Sequence, residues 1–236
     1  MIDWHSHILP KLDDGSKSVE ESLEMLKMLK AQGVDTVCAT PHYYANDNSV
    51  DRFLERRQRS AEELLSATDE SCPRIVLGAE VRYYPGISRL DDLSRLTVGD
   101  TDLLLLEMPF ASWREYTLRE LCELSCGGEV TVILAHIERY ISYQKENIWR
   151  TIEENGILVQ SNAEFFTGFK TRRKALHLLS EGKIQFVGTD CHNLTTRPPN
   201  IKEAYDRIEK KTGHTFTSQM IEYGYSVLDK TRIKNF

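Results

Sequence analysis

The sequence predicts a single-domain α/β fold whose parallel strands either curl into a barrel or form a doubly wound sheet. Three observations lead there. The 236 residues suit one large domain. Short, nearly continuous apolar runs alternate with amphipathic segments, as expected of strands covered on both faces by helices. No Pro/Gly/Ser-rich linker or low-complexity tract divides the chain, so residues 1–236 read as one domain.

The first strand is expected at Ile2 to Trp4. A helix follows from about Val19 to Gln32. Ser18 and Glu21 make its capping box, Val19, Leu23, Leu26 and Leu29 its buried face, and Gly33 its stop. Further strands are expected at Val34 to Thr40, Ile75 to Ala79, Asp102 to Leu106, Val130 to Ala135, Ile157 to Gln160 and Ile184 to Val187. Helical patterns lie between them, such as Leu118, Leu121 and Cys122, or Ala175, Leu178 and Leu179. Two more helices are expected around Ile201 to Ile208 and Ser218 to Leu228. Seven strands in 236 residues give roughly 34 residues per unit, the size of a βα repeat.

Composition narrows the function classes. A formal charge of −6 and a pI near 5.7 disfavour nonspecific nucleic-acid binding, so no nucleic-acid partner is expected. No apolar run approaches the roughly 20 residues of a membrane span. Asp3, His5 and His7 stand where a secretory leader would be basic and then apolar, so a cytoplasmic location is expected. Cys38, Cys72, Cys122, Cys126 and Cys191 are odd in number and lack paired spacing, which fits a reducing compartment.

Metal-type ligands fall just past six of the seven expected strands: His5 and His7, His42, Glu80, Glu107, His136, and Asp190 with His192. Asp14 lies in the loop after the first strand. In a parallel barrel those strand ends share one rim. Alternation along an extended segment puts His5 and His7 on one side. Glu107 follows four leucines and precedes Met108, Pro109 and Phe110, so its carboxylate requires a cation or hydrogen bonds. His177 and His214 are read as packed or solvated residues. Imidazole and carboxylate donors without cysteine favour manganese, iron or zinc. Nine ligands exceed the needs of one ion, and three divalent ions with four carboxylates leave a net positive centre that attracts a phosphate dianion.

These motifs resemble a known superfamily. Asp3-Trp4-His5-Ser6-His7-Ile8-Leu9-Pro10, followed by Asp13-Asp14-Gly15-Ser16, resembles the opening of the PHP (polymerase and histidinol phosphatase) superfamily. Thr40-Pro41-His42-Tyr43, Gly78-Ala79-Glu80, Leu106-Glu107-Met108, Ala135-His136-Ile137-Glu138-Arg139-Tyr140 and Gly188-Thr189-Asp190-Cys191-His192-Asn193 are similar, in order, to the bacterial manganese-dependent protein-tyrosine phosphatases of the CpsB/YwqE type.

The resemblance implies a distorted (β/α)7 TIM-like barrel, the PHP fold, with three manganese ions, iron or zinc being alternatives. It assigns His5, His7, Glu80 and Asp190 to a first ion, Glu80, Glu107 and His136 to a second, and Asp14, His42 and His192 to a third. Arg139 and Arg197 match arginines near the phosphate. The implied reaction is attack by metal-activated hydroxide on phosphotyrosine in the tail of a bacterial tyrosine autokinase that controls capsule or exopolysaccharide synthesis. The alternatives are a small-molecule phosphoesterase resembling histidinol-phosphate phosphatase, and a noncatalytic regulatory domain on the same fold.

Cys191 and Arg197 have the spacing of cysteine-dependent tyrosine phosphatases, but no glycine separates them, and Asp190 disfavours a thiolate, so packing is the preferred role for Cys191. Tyr43, Tyr44, Phe110, Tyr140, Phe165 and Phe166 are candidates to line a slot for an aromatic ring, with ordinary packing as the alternative. Arg52, Arg56, Arg57 and Arg59 are expected on a solvated helix face.

Overall fold

A computed structural model describes residues 1–90 and 92–229. Its strands are β1 (Ile2–Ser6), β2 (Thr36–Ala39), β3 (His42–Tyr43), β4 (Arg74–Leu77), β5 (Glu80–Arg82), β6 (Leu103–Glu107), β7 (Thr131–Leu134), β8 (Leu158–Asn162) and β9 (Phe186–Gly188). The helices are α1 (Val19–Ala31), α2 (Val50–Leu65), α3 (Glu115–Cys126), α4 (Ile148–Glu154), α5 (Ala163–Thr167), α6 (Arg172–Ser180), α7 (Ile201–Thr212) and α8 (His214–Leu228).

The strand pairings are parallel and form two ladders, β1-β2-β4 and β3-β5-β6-β7-β8-β9. The expectation of seven strands is therefore corrected: the second and third are each split, giving nine among the described residues. Pro41 lacks the N–H that would continue β2 into β3. Single bonds carry the chain across the breaks, with Gly78 N donating to Ala39 O at 2.8 Å and Glu80 N to Pro41 O at 3.0 Å. The sheet curls, and the end of β1 and the segment after β9 approach each other, with Asp190 N donating to His5 O at 2.7 Å and His7 N to Cys191 O at 2.9 Å. Regular alternation fails between β5 and β6, where only the short 3-10 turns Ile87–Arg89 and Leu93–Arg95 lie among the described residues.

The strands rest on a small apolar cluster that includes Ile2, Trp4, Cys38, Val76, Leu103, Leu105, Ile133 and Phe186, with Val227 and Leu228 of α8 closing it. A larger cluster joins the outer strand faces to the helices. On α1, Ser18 Oγ accepts from Glu21 N at 3.2 Å, while Glu21 returns to Lys17 N at 2.8 Å, one residue before the cap. The buried face of α1 is rotated from the expected one, to Ser22, Met25, Leu26 and Leu29. Ser22 is satisfied there by Ser16 Oγ at 2.7 Å and Ser18 O at 3.0 Å, so Val19 and Leu23 are only half-buried. The α2 arginines also depart from expectation. Arg56 donates to Leu12 O at 2.8 Å and Arg57 to Gly78 O at 2.7 Å, so two of the four fasten α2 to neighbouring loops.

Candidate metal centre

The strand that carries His5 and His7 is bent by one extra residue. Asp3 pairs with Val37 and Ser6 with Ala39, so β1 spends three steps against two on β2. Such a bulge re-aims the side chains that follow. Trp4 thus joins the apolar cluster, its ring 4.1 Å from that of Phe186, while His5 and His7 both turn upward with Nε2 atoms 3.1 Å apart. The approach is close: a Cβ on Gly188 would lie 2.7 Å from His5 Cβ, and one on Gly15 would lie 2.2 Å from His7 O. His136 (φ 29°) and Asp190 (φ 54°) have positive φ without being glycine. Strain of this kind persists where surrounding structure enforces it, commonly at functional sites.

All nine expected ligands come together in three groups. These are His5, His7 and Asp190; Glu80, Glu107 and His136; and His7, Asp14, His42 and His192. In the first, Asp190 Oδ1 lies 3.6 Å from His5 Nε2 and 3.3 Å from His7 Nε2. In the second, His136 Nε2 lies 2.7 Å from Glu80 Oε1 and 3.5 Å from Glu107 Oε1. In the third, Asp14 Oδ1 lies 3.2 Å from His42 Nε2 and 3.4 Å from His192 Nε2. Donors bound at about 2.1 Å to a shared ion stand about 3.0–3.4 Å apart, so the spacing suits divalent cations.

Glu80 links the groups and provides the test of fit. Its carboxylate is 1% exposed, and Oε2 has no hydrogen-bond partner. Around that oxygen stand His42 Nδ1 at 2.7 Å, off the hydrogen-bond direction, His5 Nε2 at 3.4 Å and His7 Nε2 at 3.5 Å. A buried orphan oxygen facing three imidazole nitrogens is costly unless a cation bridges them. Burial pushes the Glu80 carboxyl up, but His5, His136 and His42 outweigh it and hold it well below the usual carboxylate range. Burial pushes His136 down, but Glu107 and Glu80 reverse this and bring it to about 9.

Sequence reasoning missed the residues that orient the ligands. His7 Nδ1 donates to Asp13 Oδ2 at 2.7 Å, leaving Nε2 free to ligate. Asp13 also accepts from the backbone N–H groups of Gly15 and His42, both at 2.9 Å. Gln160 Oε1 accepts from His136 N at 2.7 Å and faces His5 Nδ1 at 3.4 Å. Gln160 Nε2 donates to Asn162 at 3.0 Å, and Asn162 donates to Asp190 Oδ2 at 2.9 Å. Strand β8, which has no expected ligand, thus supports three of them.

Both predicted arginines reach this centre. Arg139 pairs with Asp190, and Arg197 Nη2 lies 2.5 Å from the same carboxylate, off the hydrogen-bond direction. Arg197 Nη1 also lies 2.8 Å from His192 Nε2, whose ring is set by Nδ1 donating to Asp190 O at 2.9 Å. Cys191 is fully buried in the large apolar cluster, and burial, then Asp3, pushes its thiol well up, opposite to an activated nucleophile. Of the six aromatics, Tyr44 stacks on His42 at 5.2 Å, and Phe110, 47% exposed, lies 5.8 Å from His136. Tyr43, Tyr140, Phe165 and Phe166 are buried packing residues. His177 and His214 are exposed and stand apart from these groups.

Fold and site define a class: a parallel α/β protein whose strand ends gather imidazoles and carboxylates into clusters that could hold metal ions. The chain belongs to the family described as capsular polysaccharide synthesis, CpsB/CapC, which matches residues 1–226. It is 32% identical over 232 residues to the tyrosine-protein phosphatase YwqE of Bacillus subtilis (strain 168), covering 94% of this chain and 89% of that protein. It is 32% identical over 229 residues to the tyrosine-protein phosphatase CpsB of Streptococcus pneumoniae, covering 90% and 91%. A crystal structure from work on those two proteins, reported as metal-dependent tyrosine phosphatases, superposes with a TM-score of 0.84 at 27% identity, covering 99% of this chain and 96% of that one.

Proposed function

We propose that this chain is a metal-dependent protein-tyrosine phosphatase acting on the phosphorylated tail of a bacterial tyrosine autokinase in capsule or exopolysaccharide control. The observation that carries the reading is the orphan Glu80 oxygen among three imidazoles, in a chain whose relatives are named tyrosine-protein phosphatases. The proposed occupants are three manganese ions, with iron or zinc as alternatives. His5, His7, Glu80 and Asp190 would hold the first, Glu80, Glu107 and His136 the second, and Asp14, His42 and His192 the third. The split strands count as two of seven units of a distorted barrel, with the whole chain one cytoplasmic domain. No helix among the described residues is long and apolar enough to cross a membrane.

Bound divalent ions would supply Lewis acidity that makes water nucleophilic near neutral pH. The chain's own residues do the rest. Arg139 and Arg197 leave Asp190 and His192 to grip the non-bridging oxygens of phosphate, for which a planar guanidinium is suited. Asp13, Gln160 and Asn162 keep His7, His5, His136 and Asp190 aimed inward. Phe110 and Tyr44 flank the entrance for the substrate's aromatic ring.

The test compares kcat/KM on a phosphotyrosyl peptide and on histidinol phosphate, after chelation and after manganese is restored. Manganese-dependent hydrolysis with strong preference for the peptide is expected. Preference for histidinol phosphate overturns the substrate, and no turnover with any divalent ion overturns the enzyme.

A further inference from the structure

A large surface cavity among the described residues shares no residue with the metal centre. It is a groove of about 1080 Å³ between α6 and α7, lined by Lys170, Arg172, Arg173, Lys174, Arg207, Lys210 and Lys211, with no carboxylate in its wall. Helical spacing produces it. Arg173 and His177 lie a turn apart on α6, and Arg207, Lys210 and Lys211 a turn apart on α7. Both helices are anchored on their opposite faces, by Ala175, Leu178 and Leu179 and by Ala204, Tyr205 and Ile208. The cations therefore stand on a rigid wall.

Their charge is largely uncompensated. Arg207 pairs with Glu203 at 2.6 Å, but no ion pair engages the other six among the described residues. Phe169, 84% exposed, lies next to Lys170 with Arg172 over its ring at 5.2 Å. In a chain of net charge −6, a concentrated cationic groove leaves the remaining surface still more acidic. A long polyanion would be repelled wherever it left the groove, whereas a short anionic segment places its charge only inside it. That geometry favours a short acidic stretch of polypeptide over nucleic acid.

We propose that the α6–α7 groove docks an acidic segment of the phosphoprotein substrate, away from the phosphotyrosine itself. This rests on the phosphatase reading for the identity of the partner. The groove's affinity for acidic peptide can be measured without catalysis. The variant is the triple charge reversal Lys174→Glu, Lys210→Glu and Lys211→Glu, all exposed positions.

The probe is fluorescent decaglutamate, followed by anisotropy at about 20 mM and about 200 mM salt. Kinetics use p-nitrophenyl phosphate and two phosphotyrosyl peptides, one extended by glutamates and one by alanines. Decaglutamate should bind in a salt-dependent way, and the triple variant should weaken it roughly tenfold or more. The variant should raise KM for the glutamate-extended peptide by a similar factor, with kcat/KM for p-nitrophenyl phosphate and for the alanine-extended peptide unchanged.

Decaglutamate binding that is absent, or unaffected by the triple reversal, overturns the groove even if aryl phosphate is hydrolysed. Tighter binding of a ten-nucleotide single strand through the same residues also overturns it, in favour of nucleic acid. Peptide binding without any phosphatase activity overturns the substrate assignment while the groove's preference stands.

Discussion

Strand β6 holds both regions of the interior in one run of alternate residues. Leu103 and Leu105 pack in the small apolar cluster, and Glu107, two positions further, stands beside His136. The same succession recurs from Leu158 to Gln160 and Asn162, and from Phe186 to Gly188 and Asp190. The floor is apolar and closed by α8. The rim above it gathers carboxylates and imidazoles that satisfy one another incompletely. A period-two pattern thus lets each strand contribute to stability at one end and to chemistry at the other. Where the period would fail, the backbone corrects it, by the bulge in β1 and the positive φ at His136.

Substitutions at the two levels should separate. The largest effect is expected of His136→Ala, which removes a proposed ligand. It should lower kcat/KM on an aryl phosphate by on the order of 10³ and reduce manganese stoichiometry, with the fold retained by circular dichroism. Leu105→Ala should do the reverse, costing about 2–5 kcal/mol in denaturant unfolding while the folded enzyme keeps its metal content. If His136→Ala unfolds the chain, or Leu105→Ala empties the site, the separation of floor from rim fails.

Asp13→Ala probes the support beneath a ligand and should weaken manganese binding by about 10–100-fold with little change in kcat at saturating metal. An unchanged affinity would deny Asp13 its orienting role.

The pH response follows from His136, held at about 9 in the metal-free protein. Raised above the usual value of about 6.5, this group contributes stability that is fully present below about 6.5 and is lost as pH rises through about 9. Metal binding needs the deprotonated ring, so affinity should climb by up to about tenfold per unit between pH 7 and 9 as metal-free stability declines. Calorimetry in buffers of different ionisation enthalpy reads the proton released, and no release at pH 7 contradicts the assignment. The smallest change is expected of Cys191→Ser, which should leave most activity. Loss comparable to that of His136→Ala would revive a thiolate mechanism.

The rim was more legible in the sequence than its supports. His5, His7, His42, Glu80, Glu107, His136, Asp190 and His192 stand out because metal-type residues interrupt apolar runs at strand ends. Asp13 is masked by its neighbour Asp14, and Gln160 and Asn162 are not residues that metal-ligand spacing selects. The alternation of Leu158, Gln160 and Asn162 was the available signal. Neither the bulge in β1 nor the left-handed backbone at His136 and Asp190 has a marker in residue type, since both arise from long-range pairing. The fastening roles of Arg56 and Arg57 escaped for the same reason: their carbonyl partners, Leu12 and Gly78, are distant in sequence.

The most direct test is anomalous diffraction at the manganese edge from the loaded protein, beside Glu80→Gln. The account predicts manganese peaks between His5, His7 and Asp190 and between Glu107 and His136, with Glu80 shared by both and occupancy sharply reduced in the variant. Full occupancy without the Glu80 carboxylate, or manganese bound anywhere other than this rim, would contradict it.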